Sequence, residues 1–434
     1  MQTLQQLYSG ELLGTTRLKL SCGLKTFPKE IYTLADTLEI LDLSGNELSS
    51  LPDDFGILKK LKIAFFSDNF FTEFPSVLAK CLALEMIGFK ANIIKTIPEN
   101  AIPINTRWLI LTNNAIESIP ASIGKCTRMQ KLMLAGNRLK ALPQELASCK
   151  NLELFRISAN QIEQFPTELL TFPRLSWLAF AGNPFSENTE EQVALEEFSW
   201  DELTIKEQLG EGASGIIAKA VWETHHKEVA VKVYKGEVTS DGLPTDEMNA
   251  CISAGTHPNL VTVLGKIKNH PTNKHGLLME LIPPTFRNLG GPPSFETCTR
   301  DTYPAGTVFT LAEIIKISSA IASVGEHFHA LGVSHGDLYA HNTLVDENAN
   351  TLFGDFGAGS TYHVHSSKAP AIQRLEVRAF ACLLDDLLRY VAEADTQHPS
   401  IGQLKALVQN CMNEVVLERP SFVQIYEKIT GLNA

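Results

Sequence analysis

Four short segments carry residues whose types and spacing could do chemistry together. Gly210-Glu-Gly212-Ala-Ser-Gly215 is a glycine-rich turn, and Val229-Ala-Val-Lys232 sets a cation on an apolar run. His335-Gly-Asp337 and Asp355-Phe-Gly357 each present a carboxylate, and Asn342 follows Asp337 by five residues. A backbone free of side chains can close over phosphates, so this order of segments points to phosphoryl transfer. The glycine pattern alone is weak, because dinucleotide-binding folds use it too. In those folds the glycines open a helix, whereas here Ile216-Ile-Ala-Lys-Ala-Val221 continues as an extended run and Glu228-Val-Ala-Val-Lys232-Val-Tyr234 follows as another strand.

In this order the segments resemble the protein kinases, an α+β bilobal fold. The resemblance implies a small lobe over 203–282 and a larger one over 283–434. Gly210, Gly212 and Gly215 would cover the phosphates of ATP, Lys232 would reach its α and β groups, and Glu247, ahead of His257-Pro-Asn-Leu-Val261, would hold Lys232; Asp246 is the neighbouring alternative. Met279 and Glu280, leading to Ile282, fall where the hinge would lie, with the adenine between Ile217 and Ala230 above and Leu344 below. Asp337 stands at the position of the catalytic carboxylate. Asn342 and Asp355 stand at those that hold Mg²⁺.

Three departures qualify the resemblance. Gly336 replaces the usual Arg before the catalytic Asp, so no guanidinium is there to pair with a phosphorylated loop. Tyr339 stands where serine/threonine kinases commonly have Lys. Only 18 residues, 358–375, separate Asp-Phe-Gly from the helix expected at Glu376, leaving no room for Ala-Pro-Glu. Arg419, of Arg-Pro-Ser-Phe422, normally pairs with that missing Glu and is expected to pair with Glu376 or another carboxylate. Small-molecule kinases of the aminoglycoside phosphotransferase type share the short segment and His-Gly-Asp, and an ATP-binding pseudokinase scaffold is a further alternative. The Val-Ala-Val-Lys, His-Pro-Asn-Leu-Val and Arg-Pro-Ser-Phe segments favour a protein kinase, with serine/threonine ahead of tyrosine.

The elements before residue 203 follow a different rule. Asn recurs at 46, 69, 92, 114, 137, 160 and 183, inside units such as Leu38-Glu-Ile-Leu41-Asp-Leu43-Ser-Gly-Asn46-Glu-Leu48. Each unit also carries an apolar-Pro pair, from Leu51-Pro52 to Phe165-Pro166. This resembles the leucine-rich repeat, implying an α/β solenoid over residues 1–185. With Leu41 and Leu43 inward, alternation sends Ile40, Phe65, Met86, Trp108, Met133, Arg156 and Trp177 to the concave face. Such an apolar stripe is expected to bind a protein or another part of this chain. Residues 186–202 carry seven acidic side chains and no basic one, and read as an acidic linker or short helical hinge in which Val193, Leu195 and Phe198 could pack on a neighbouring lobe.

Composition bounds the rest. A net charge of −12 and pI near 5.5 oppose a nucleic-acid partner, whose protein surfaces are basic. No run approaches the roughly 18 apolar residues of a membrane span, and Met1-Gln-Thr-Leu-Gln-Gln-Leu lacks the charged start and apolar core of a signal peptide. The eight scattered Cys form no metal or redox spacing. A cytoplasmic protein kinase using ATP and Mg²⁺ is expected, with repeats that recruit or sense a protein.

Overall fold

The computed structural model describes residues 2–186 and 195–432. The chain forms two compact units. Met1–Phe172 and Asn183–Phe185 make up one, and Pro173–Gly182 with Ser186–Ala434 the other. A boundary at 185 was expected; Pro173–Gly182 instead belongs with the unit that carries the kinase-like motifs.

In the first unit, a short capped helix α1 (Leu4–Tyr8) precedes seven three-residue strands: β1 (Arg17–Lys19), β2 (Ile40–Asp42), β3 (Ile63–Phe65), β4 (Met86–Gly88), β5 (Trp108–Ile110), β6 (Lys131–Met133) and β7 (Leu154–Arg156). They pair in parallel, in chain order. The register aligns Leu18, Leu41, Ala64, Ile87, Leu109, Leu132 and Phe155 in one row, and all are buried. Each large aliphatic in that row contributes on the order of 2 kcal/mol by leaving water.

The periodic asparagines form a second ladder. Asn137 donates from Nδ2 to the carbonyls of Leu111 and Leu134, and its Oδ1 accepts from the Ile116 amide at 3.0 Å. Asn46, Asn69, Asn92 and Asn160 repeat this pattern, each tying its turn to the preceding repeat. The return segments differ from the expected α-helices: they are 3₁₀ turns such as Ser76–Lys80, Ala121–Lys125 and Gln144–Ser148. The reason is visible at Pro75, Pro120 and Pro143, which lack an N–H and open short turns of five residues in a repeat too brief for a full helix. Cys81, Cys126 and Cys149 are buried beneath these turns, and desolvation pushes their thiols up to about 11, 11 and 12.

The second unit begins with β8 (Trp177–Ala179) and continues to a six-stranded sheet. Its strands are β9 (Glu197–Ser199), β10 (Leu203–Glu211), β11 (Gly215–Trp222), β12 (Lys227–Tyr234), β13 (Val263–Lys268) and β14 (Gly276–Glu280), in the order β10-β11-β12-β14-β13-β9. Helix α2 (Pro244–Ser253) packs Met248 and Ile252 with Tyr234 and Leu277. The described residues 195–202 of the acidic stretch, where an acidic linker or short helical hinge was expected, hold strand β9 followed by a 3₁₀ turn, because β9 completes the sheet by pairing parallel to β13. Phe198 is thereby buried among Trp222, Val231 and Leu278, and Leu195 packs beside Tyr234; Val193 lies outside the described residues.

The larger half of this unit is helical: α3 (Leu311–Ala330), α4 (Ala369–Arg389), α5 (Pro399–Cys411) and α6 (Phe422–Thr430). Between α3 and α4 lie short strands β16 (Val333–Ser334), β17 (Thr343–Val345), β18 (Thr351–Phe353) and β19 (Ser360–Thr361), and β15 (Arg287–Asn288) pairs with β17. Helix α4 starts seven residues before Glu376, at Ala369, with Pro370 in its first turn. A Pro there needs no N–H partner and is preset for helix. The segment after Asp355-Phe-Gly357 is therefore shorter than the 18 residues counted in the sequence.

Candidate functional site

The β10–β11 hairpin pairs Gly210 with Ile217 and Glu211 with Ile216, so residues 212–214 form its turn. Gly212 N–H donates to the Gly215 carbonyl at 2.9 Å. A Cβ on Gly215 would stand 2.7 Å from the Val233 carbonyl, which makes glycine necessary at that close approach. On Gly210 and Gly212 a Cβ would meet no heavy atom within 4 Å, so the loop's backbone is accessible there. Lys235 steadies the turn by binding Glu211 Oε1 at 2.6 Å and the Gly212 carbonyl at 3.0 Å.

Strand β12 places Lys232 opposite Ile217 on one side and Leu277 on the other. Its ammonium lies 5.2 Å from the Tyr234 ring centre and forms an ion pair with Glu247 of α2. The neighbouring Asp246 makes no such pair; burial lifts its carboxyl to about 6. Burial also works against the charge on Lys232, but the Glu247 and Asp355 carboxylates outweigh it and hold its pKa above the ordinary lysine value. A charged Lys232 is thus anchored by a carboxylate that is 3% exposed.

His335, fully buried, orders the loop that carries Asp337. Its Nε2 donates to the Gly354 carbonyl at 3.0 Å and its Nδ1 accepts from the Asp337 amide at 3.3 Å. Burial lowers its pKa, which keeps the imidazole neutral in that tautomer. Asn342 Nδ2 donates to Asp337 Oδ2 at 2.7 Å and to its carbonyl at 3.0 Å. Asp355 sits at φ 60°, a left-handed conformation that side chains rarely adopt, and its Oδ1 accepts from Gly357 N–H at 3.3 Å.

Two further carboxylates brace the loop, and their roles were not read in the sequence. Asp301 accepts from the Ala340 amide at 2.5 Å and from His341 Nδ1 at 2.6 Å. Burial opposes the imidazolium, but Asp301 overcomes it and raises the His341 pKa. Glu376, buried in α4, accepts from the Gly336 amide at 2.9 Å and from His329 Nε2 at 2.9 Å. Desolvation works against this carboxylate, yet these donors hold its pKa below the usual glutamate value. Contrary to expectation, Arg419 pairs with neither Glu376 nor another carboxylate among the described residues. It donates instead to the carbonyls of Asn413, Arg374 and Pro173 at 2.8–3.0 Å. Three carbonyls satisfy the guanidinium without neutralising it, and burial next to Arg378 pushes its pKa down to about 10.

A cavity of about 400 Å³ gathers Gly212, Gly215, Ile217, Lys232, Glu247, Met279, Ile282, Asn342, Leu344 and Asp355. Thr239, Asp241, Cys251 and His341 also line it and had no motif to announce them. Gly210, Ala230 and Glu280, expected at the nucleotide, are not on this wall; the Glu280 carboxylate pairs with Lys227 at 2.5 Å. Asp337 reaches the site through its bonds with Asn342. Of the residues assigned to the repeat face, Ile40, Phe65, Trp108 and Met133 are half-buried. Met86, flanked in register by Ile63 and Trp108, is buried, as is Arg156, so the stripe is less open than expected. Trp177 is 1% exposed and lies against Tyr339.

Comparisons with known proteins agree with the two-part organisation. The protein kinase domain family matches residues 203–379, and the leucine-rich repeat family matches residues 37–58. A probable serine/threonine-protein kinase, gdt4 of Dictyostelium discoideum, is 26% identical over 166 residues, 37% of this chain and 9% of that protein. Fibroblast growth factor receptor 1 of Pleurodeles waltl is 23% identical over 295 residues, 55% of this chain and 35% of its own. The tyrosine-protein kinase transforming protein Abl of Abelson murine leukemia virus is 30% identical over 178 residues, 39% of this chain and 22% of its own. The chain thus spans about a third or less of the length of these relatives, which include both serine/threonine and tyrosine kinases. A protein kinase domain implies use of ATP and a divalent metal in general. Among the described residues no helix is long and apolar enough to cross a membrane.

Proposed function

For a chain that joins leucine-rich repeats to a protein kinase domain, we propose a cytoplasmic Mg-ATP-dependent kinase that phosphorylates a serine or threonine hydroxyl of a protein selected through the repeats. The observation that carries this reading is the Lys232–Glu247 ion pair, in the wall of one cavity with Asp355 and Asn342. A cation anchored in this way can place phosphates without being drawn off by them.

The residues fit the groups the reaction needs. The open backbone at Gly212 leaves room for phosphate oxygens, and the apolar side chains of Ile217, Met279 and Leu344 suit a base. Among the described residues no group of three or more His, Cys, Asp or Glu converges as a dedicated metal cage. Mg²⁺ does not require one, since it binds through one or two protein oxygens plus substrate phosphates. Asp355 and Asn342 would hold it, and when bound it offsets the charge developing on the transferring group. Asp337, oriented by Asn342, aligns the acceptor hydroxyl and takes its proton as the new oxygen–phosphorus bond forms and the bond from the γ-phosphorus to the departing ADP oxygen breaks. The half-buried Trp108 and Met133 would contribute to the partner face of the repeats.

Incubation of the full chain with Mg²⁺, γ-labelled ATP and dephosphorylated casein, beside Asp337→Asn, tests the reading. Label on protein serine or threonine from the wild type alone supports it; ATP binding without transfer to any protein sinks it.

A further inference from the structure

The three departures from the kinase pattern converge on one segment. Trp177 Nε1 donates to the Leu338 carbonyl at 3.0 Å, and its indole stacks on the Tyr339 ring with centres 4.5 Å apart and planes 4° from parallel. Tyr339 therefore replaces the usual Lys with a surface for an aromatic partner. Gly336 has φ 69°, and a Cβ there would stand 2.7 Å from both the Leu178 and Ala358 carbonyls. An arginine at this position would strike the backbone of β8. Arg419, without its usual glutamate, donates to the Pro173 carbonyl, while Arg378 donates to the Arg174 carbonyl and to Ser176 Oγ. At the far end of the segment, the Phe180 and Ala181 amides donate to Ser360 Oγ, three residues beyond Gly357.

We infer that Pro173–Gly182 is a positioning strap of the kinase unit, holding the catalytic loop at Leu338–Tyr339 in place of the missing Ala-Pro-Glu anchor. The strap touches residues close to each of the two carboxylates: Leu338 adjoins Asp337, and Ser360 follows Asp355. Fixing the Leu338 carbonyl and the Tyr339 ring restricts the backbone from which Asp337 is presented, and small displacements of a reacting group are costly in rate. Trp177 is thus a positioning residue, acting through Leu338 rather than on ATP. The requirement for glycine at 336, the aromatic at 339 and the carbonyl-satisfied Arg419 then share one cause.

The inference rests on the protein-kinase reading for its rate effect, and hydrogen exchange separates the two. In the full chain, Trp177→Phe keeps a ring for Tyr339 but loses the indole donor, whereas Trp177→Ala loses both. Casein phosphorylation, the KM for ATP and exchange of amides 335–342 are measured on each. Trp177→Ala is expected to lower kcat about tenfold or more with KM for ATP within about twofold, and Trp177→Phe to recover much of the loss. Exchange at 335–342 should accelerate in parallel with the fall in kcat. Unchanged or increased kcat in a folded Trp177→Ala protein overturns the strap, an increase marking the segment as inhibitory. Equal loss of kcat, nucleotide affinity and melting temperature without rescue by Phe also overturns it. If the wild type transfers no phosphoryl group, the kinase reading fails on its own, and the exchange comparison still decides: faster exchange at 335–342 upholds the strap and unaltered exchange refutes it. Should Trp177→Ala not fold, Ser360→Ala, which removes the oxygen used by both strap amides, carries the same measurements.

Discussion

The asparagine ladder and the loop that carries Asp337 both bury polar groups against backbone, yet they obtain their partners in opposite ways. Asn137 bonds to Leu111, Ile116 and Leu134, all within one or two turns of the repeat, and Asn160 does the same one register later. The loop 335–342 is held by Glu376 at Gly336, by Trp177 at Leu338 and by Asp301 at Ala340 and His341. A periodic element spreads its determinants evenly, so any one is local and replaceable in effect. A site assembled from distant elements concentrates them, and each loss is felt at the chemistry.

That contrast can be broken most directly at the reacting groups. Asp337→Asn is expected to lower casein phosphorylation about 1,000-fold while leaving ATP affinity within about twofold, because it removes the proposed proton acceptor but not the groups proposed to bind phosphate. Retained turnover in this variant would end the assignment of Asp337.

Glu376→Ala should come next, destabilising the kinase unit by about 3 kcal/mol in denaturant titration, since it strands the buried Gly336 amide and His329. The depressed Glu376 pKa adds a pH signature. Its contribution is present above the ordinary glutamate value of 4.5 and is lost as pH falls through the lower folded value. Acid titration of Glu376→Gln should lack that component.

A single break in the ladder should be milder. Asn137→Ala leaves the buried Ile116 amide short of a partner, while the Leu111 and Leu134 carbonyls keep Asn114 and Asn160; it is expected to cost about 2 kcal/mol, with faster exchange confined to the adjoining turns. Loss of casein phosphorylation comparable to that of Asp337→Asn would show that the ladder is not local.

The Asp301–His341 clamp sharpens the comparison with the opposite sign of pH dependence. A raised histidine pKa means its contribution is complete below the ordinary value of 6.5 and disappears as pH rises through the folded value. Asp301→Asn should flatten this alkaline decline in stability, an effect of about 1 kcal/mol. Smallest of all, Lys62→Ala removes a 2.9 Å bridge to Glu39 between side chains that are 48% and 40% exposed, and should change stability by less than about 0.5 kcal/mol.

Much was legible before folding because some constraints are local in the chain. Asparagine spacing gave away the repeats, since every unit must satisfy the same turn, and the extended runs around Gly210–Gly215 separated a kinase-like hairpin from a dinucleotide turn. The start of α4 at Ala369 could have been read from Pro370, whose missing N–H suits a first helical turn. The brace from Asp301 to His341 had no comparable signal, because a lone aspartate among the Pro and Gly residues of 283–306 resembles any loop acid. Arg419 was misassigned for a related reason: sequence names the charge but not the carbonyls that can satisfy it.

By itself the sequence determined the two architectures, the parallel row of inward apolar residues, and the presence and order of Lys232, Glu247, Asp337, Asn342 and Asp355, because period and motif are properties of neighbouring residues. Tertiary structure alone decided that Pro173–Gly182 belongs to the kinase unit. It alone set Trp177 on Tyr339 and brought the Leu178 carbonyl to the one position where Gly336 is required. Those contacts join residues some 160 positions apart, and only the closing of the fold brings such groups within the few ångströms over which stacking and hydrogen bonding act.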